Sequence, residues 1–78
     1  MNVKELFGRE VLDANAKMIG KVIDMGFDVD RGVITHIVVR GGPVREYDVR
    51  FDNIARIGDR IILNVGEDEL KRKSVIRM

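Results

Sequence analysis

Over residues 17–42 the chain reads KMIGKVIDMGFDVDRGVITHIVVRGG, with apolar and polar residues alternating almost without pause and glycines at Gly20, Gly26 and Gly32. Over residues 19–27 the odd positions are Ile19, Lys21, Ile23, Met25 and Phe27. That period of two predicts a strand with one core face, and it places Ile23 in the core. A shorter strand at residues 10–13 precedes it across DANAK, where Asp13 and Asn15 can bond local backbone and Asn15 tolerates a left-handed conformation. After it, DVDRG supplies the turn residues Asp28, Asp30 and Gly32, and Val33–Arg40 is rich in β-branched residues, so a second hairpin is expected.

Val33–Arg40 differs from its neighbours in carrying apolar groups of both parities. Val33, Ile37 and Val39 fall on one face, and Ile34 and Val38, with His36 between them, on the other, so both faces call for cover. RGGPV then breaks the chain, because Gly41 and Gly42 are permissive and Pro43 cannot donate to a ladder. Residues 44–51 alternate cleanly, Tyr47, Val49 and Phe51 inward against Glu46, Asp48 and Arg50. Further on, Gly58-Asp59 fits a two-residue type II′ hairpin with a positive φ at Gly58. Ile61, Leu63 and Val65 then face inward and Ile62 outward. The tail has acids first and bases later, which fits a short helix at residues 67–73, and a final strand at residues 74–78 fits equally. Five or six short strands at hairpin spacing in a single domain, residues 1–78, describe an all-β protein, a small antiparallel β-barrel.

Composition narrows the function classes. A chain of 78 residues would bury only about 60% of its unfolded surface, so a second copy would help it. Fourteen Lys and Arg against thirteen Asp and Glu leave a net charge of +1, and any pull toward nucleic acid or an acidic membrane must be local. The absence of cysteine removes disulfides, thiol nucleophiles and thiolate metal sites and suits a cytoplasmic protein. The N-terminus lacks the apolar core of a signal peptide, and the most apolar run, residues 33–39, is interrupted by Thr35 and His36 and falls far short of the roughly 20 residues a membrane helix needs. No direct membrane insertion is expected.

Candidate chemistry is sparse. Asp24, Asp28 and Asp30 suggest a calcium loop, but the further oxygen ligands and terminal Glu are replaced by VITHIVV, so these residues are expected to serve turns. His36 is the only histidine and has no Ser, Cys or paired carboxylate near it in sequence, which argues for a half-buried or interface residue over acid–base catalysis. The glycines match no phosphate loop, and no cofactor is implied. Lys71, Arg72, Lys73 and Arg77 form a basic end that could contact RNA phosphates or anionic lipid, although no aromatic residues are interleaved for stacking.

Four segments taken in order resemble the PRC-barrel family: LFGREVLD (6–13), IGKVID (19–24), the DVDRG turn followed by VITHIVV, and YDVRFDNIARIGDRIIL (47–63). The first turn departs from the family, which often has Gly where this chain has Asn15-Ala16. The resemblance implies a small β-barrel used for docking and assembly, with no catalytic residues to inherit. Larger relatives serve at the photosynthetic reaction centre or, within a ribosome maturation factor, beside a ribosomal protein. Stand-alone members look typical of archaea, some linked to cell division through a membrane-anchoring division protein. The expectation is therefore a non-enzymatic homodimeric adaptor that binds another protein through an outer strip of Ile34, Val38 and Ile62, with His36 beside it. The alternative is an RNA-binding or ribosome-assembly factor using Lys71, Arg72, Lys73 and Arg77.

Overall fold

The alternating segments fold as six strands and one short helix in the computed structural model, which describes residues 1–73 and side chains as far as Lys71. After a 3-10 turn at Val3–Leu6 come β1 (Glu10–Leu12), β2 (Met18–Asp28), β3 (Val33–Arg40) and β4 (Glu46–Arg50). A second 3-10 turn, Phe51–Asn53, leads into β5 (Ile54–Ile57), β6 (Ile61–Leu63) and the helix α1 (Glu67–Lys73). The helical reading of the acidic-to-basic tail holds, and the alternative strand at residues 74–78, with Arg77, lies outside the described residues.

The strands form one sheet in the order β4-β3-β2-β1-β6-β5. Every neighbouring pair is antiparallel except β1 and β6, which run parallel. The outermost strands, β4 and β5, are consecutive in sequence, separated only by Phe51–Asn53. In a flat sheet five inter-strand steps of about 4.8 Å would set them about 24 Å apart. Four residue steps reach at most about 14 Å. The sheet must therefore roll until its edges approach, giving a barrel-like wrap that is not closed by hydrogen bonds. Its inner face is filled by Val11, Val22, Ile37, Val39, Val49 and Ile61, all essentially without solvent contact, and α1 adds Leu70 from the side of β4.

Parity fails in β2. Val22 pairs with Val39 and Asp24 with Val38, which leaves Ile23 as an extra residue, a β-bulge that returns Val22 to the core and turns Ile23 out to 38% exposure. Ile19 is a second extra residue, between Gly20 opposite Val11 and Met18 opposite Leu12. A compensating shift between Gly26 and Phe27 leaves Thr35 extra on β3, and Phe27 is 54% exposed. Bulges of this kind bend a strand and increase its twist, which a sheet rolling this tightly needs. Val33 and Phe51 also miss the core, Phe51 because the 3-10 turn begins at it.

Two turns differ from expectation. The left-handed residue of the first hairpin is Ala16, φ 63°, and not Asn15. Ile57 pairs with Ile61, so the last hairpin has three connecting residues, and Gly58 has no positive φ. Its N–H donates to the Arg60 carbonyl at 3.0 Å, and a side chain there would meet nothing closer than that oxygen at 3.8 Å. Elsewhere the outcome follows the pattern: Tyr47, Val49, Ile61, Leu63 and Val65 are buried and Ile62 faces out. Among the described residues no helix is long and apolar enough to cross a membrane.

The bulge sets a stability contrast. Val49→Ala, which removes two methyl groups from a site without solvent contact, should cost about 2 kcal/mol. Ile23→Ala should cost less than about 1 kcal/mol, since its side chain keeps much of its solvent. Denaturant midpoints compare the two directly, and equal losses would place Ile23 in the core after all.

Candidate functional site

Two acids are buried side by side where the first hairpin meets α1. Asp13 is 2% exposed and Glu67 5% exposed. Asp13 Oδ1 accepts the backbone N–H groups of Asn15 at 2.8 Å and Lys17 at 2.9 Å, which closes the hairpin turn. Its Oδ2 accepts the N–H of Glu67 at 2.9 Å, at the first residue of α1, where helix N–H groups lack partners of their own. Glu67 takes Lys17 Nζ on Oε1 at 2.7 Å, and Tyr47 Oη at 2.7 Å and Arg45 Nη1 at 3.4 Å on Oε2.

The Lys17 hydrogen bond first, then that of Tyr47, with the Lys17 and Lys71 charges adding, outweighs burial and holds the Glu67 carboxyl down at about 2. Burial pushes Asp13 up, but its three backbone N–H donors more than offset this and keep it below the usual carboxylate value. Burial, then the bond to Glu67, pushes the Tyr47 phenol up. Every oxygen of the cluster is thus engaged, closing the first hairpin and fastening α1 to that hairpin and to β4. Its chemistry is that of a clasp, with no group left free to take up or deliver a proton near neutral pH. Sequence reasoning saw Asp13 as a turn residue and Glu67 as a first-turn acid, and missed that they meet across 54 residues.

Ile34, His36 and Val38 are all half-buried on β3. His36 and Val38 share the outer face, while the extra residue Thr35 turns Ile34 to the opposite side. Phe27 is opposite Ile34, and Val38 sits between Asp24 and Asp48 on the flanking strands. The His36 ring lies across Gly26, where a Cβ would collide with it, and its Nδ1 is 3.0 Å from Thr35 Oγ1. Asp24, beside the bulge in β2, accepts the backbone N–H of Met25 at 2.8 Å, and Asp28, at the strand end, accepts that of Arg31 at 3.2 Å.

Ile62 faces out as expected but does not join this strip. Its neighbours are Leu12 and Arg56, and Leu12 in turn faces Met18. Three inter-strand steps, about 14 Å, and six positions along β2, about 20 Å, separate it from Val38. It belongs to a second apolar patch with Leu12 and Met18. Of the basic candidates, Lys71, Arg72 and Lys73 occupy the end of α1, and the Lys71 side chain is exposed.

Among the described residues no group of three or more His, Asp and Glu side chains is placed to hold a metal ion. A comparison with curated proteins finds no match. The family model described as PRC-barrel domain matches residues 1–70. Domains of that kind are in general non-catalytic and serve protein interaction and assembly. A match over nearly the whole chain, on a rolled six-stranded sheet, makes this chain a member of the PRC-barrel domain family.

Proposed function

We propose that the domain is a non-enzymatic docking module that associates with a second copy of itself, and with another protein, through the apolar residues that β2 and β3 leave outside the core. The observation that supports this reading is the apolar surface that β2 and β3 leave outside the core, Phe27 opposite Ile34 toward one end of the pair and Val38 farther along on the outer face. Apolar groups gathered outside a core mark contact surfaces more often than isolated ones do. Two-fold association lets one such surface meet its own copy without a second complementary surface. Asp24 and Asp48, on either side of Val38, form a wet rim of the kind such contacts carry.

Sedimentation across a wide concentration range tests the self-association, with wild type compared with Phe27→Lys. Phe27 is exposed enough that the variant keeps the fold, whereas Val38→Asp would set a third carboxylate between Asp24 and Asp48 and confuse folding with docking. Wild type should dimerise, and the lysine should weaken the dimer at least tenfold by burying an unpaired charge. A wild type that stays monomeric at every concentration, or a variant that dimerises equally well, would remove this surface as the interface. Affinity capture with and without nuclease tests the wider role, a membrane-anchoring cell-division protein being its finer form. Partners that depend wholly on RNA, lost steeply with added salt, would favour the basic end of α1 instead.

A further inference from the structure

One row of charges crosses the outer face of four strands. Glu46 on β4 lies opposite Arg40 on β3, Arg40 opposite Lys21 on β2, and Lys21 opposite Glu10 on β1. The carboxylates are drawn to the two ends: Glu46 meets Arg40 at 3.0 Å, and Glu10 meets Arg60 at 3.0 Å. The middle of the row is Arg40 facing Lys21, and like charges directly opposite weaken a strand pair. Strand pairing gives no reason for this arrangement.

A groove of about 410 Å³ opens at the same place. Lys21, Arg40 and Arg45 line it and no carboxylate does. Its floor is bare backbone, because a Cβ on Gly20 would collide with the Arg40 carbonyl and one on Gly41 with the Ile19 carbonyl. Lys21 forms no ion pair with a described residue. Arg40 and Arg45 each meet one acid outside the groove, Arg45 only at 3.4 Å, so most of their guanidinium donors remain available. Met18, 48% exposed, forms part of the rim and is continuous with Leu12 and Ile62.

We infer that this groove receives the carboxylates of an acidic segment of a partner protein, while an apolar side chain of the same segment rests on Met18, Leu12 and Ile62. The inference rests on the docking reading above and names the chemistry of the second partner. Arginine forks match carboxylate geometry, and an anion between Arg40 and Lys21 relieves the repulsion between them. The adjoining apolar patch favours a peptide over a bare phosphate, and no aromatic side chain lines the groove as a platform for bases.

Fluorescence anisotropy with the full chain tests this, using a labelled peptide of Glu and Leu residues against its Gln and Leu counterpart. The acidic peptide should bind and the Gln version should not. Lys21→Gln combined with Arg40→Gln should weaken binding at least tenfold with no loss in denaturation midpoint, since the two cations repel. Met18→Ser should weaken binding severalfold, and Arg31→Gln, in the distant β2–β3 turn, should leave it unchanged. Equal binding by the double variant, or displacement of the peptide by single-stranded RNA or anionic vesicles at lower concentration, would overturn the inference. If the acidic peptide fails to bind while wild type still dimerises in a Phe27-dependent way, the groove is wrong and the docking module stands. If the Phe27 experiment fails as well, the docking reading falls with it.

Discussion

Gly41→Ala is expected to destabilise the protein by more than about 3 kcal/mol, a large loss for the addition of one methyl group. A Cβ on Gly41 would overlap the Ile19 carbonyl oxygen, with the Ile19 carbonyl carbon at 3.0 Å and Gly20 Cα at 3.5 Å. All three obstacles are backbone, so no side chain can swing aside. Either β2 and β3 separate, or the bulge at Ile19 is lost and with it the registration of β1. Overpacking a well-filled site usually costs about 1–3 kcal/mol, and a clash with backbone belongs at or beyond the upper end. Gly58→Ala is the control, and it should stay within about 0.5 kcal/mol of wild type because its surroundings are open. Urea denaturation measures both. A Gly41→Ala protein as stable as Gly58→Ala would mean that β2 and β3 do not touch at this point.

The second large effect is carried by the clasp. Glu67 falls from the usual 4.5 to about 2 on folding. Between those values the unfolded chain binds a proton that the native chain does not, so stability rises with pH across the interval. The contribution is fully present above about pH 4.5 and is lost as pH falls through about 2. Because the Lys17 side chain is 63% exposed and solvent screens its charge, the difference is expected to be worth about 1–2 kcal/mol at neutral pH. Asp13, also held below its usual value, acts in the same direction. Glu67→Gln should therefore cost about 1–2 kcal/mol at pH 7 while its stability curve flattens below pH 5, and the two proteins should converge toward pH 2. Chemical denaturation at a series of pH values shows this. Parallel curves for wild type and variant would mean that Glu67 is not the group that titrates.

Much of the architecture was legible because period-two parity holds wherever no bulge interrupts a strand. Ile37 and Val39, Tyr47 and Val49, and Ile61 and Leu63 are buried as their alternation requires. Ile23 on β2 and Val33 on β3 broke the rule because a bulge is fixed by how far the sheet must curl, and curl is a property of the whole sheet. The same limit affected the outer strip. Parity put Ile34, His36, Val38 and Ile62 on one outer strip, but the extra residue Thr35 turns Ile34 away from His36 and Val38, and Ile62 lies around the sheet with Leu12 and Met18. The clasp escaped for a related reason. Asp13 and Glu67 each had a sufficient local role, and only the parallel placement of β1 beside β6 brings them together. The charge row likewise exists only once register sets Arg40 against Lys21.

That parallel seam also governs the order in which the chain assembles. β1 to β4 form a meander of sequence neighbours, and β5 with β6 a hairpin, so each can begin from contacts close along the chain. Pairing Val11 with Ile61 closes a loop of 50 residues, at an entropic cost of about 3.5 kcal/mol. The Asp13 to Glu67 bond closes nearly the same loop, so once either contact forms the other follows at little further cost. Strand seam and clasp are therefore expected to form together and late, as the contacts most distant along the chain. In the native state the same seam is the expected line of partial opening, with β5 and β6 parting from β1 while α1 stays fastened to β4, and amide hydrogen exchange would show those two strands losing protection before the meander.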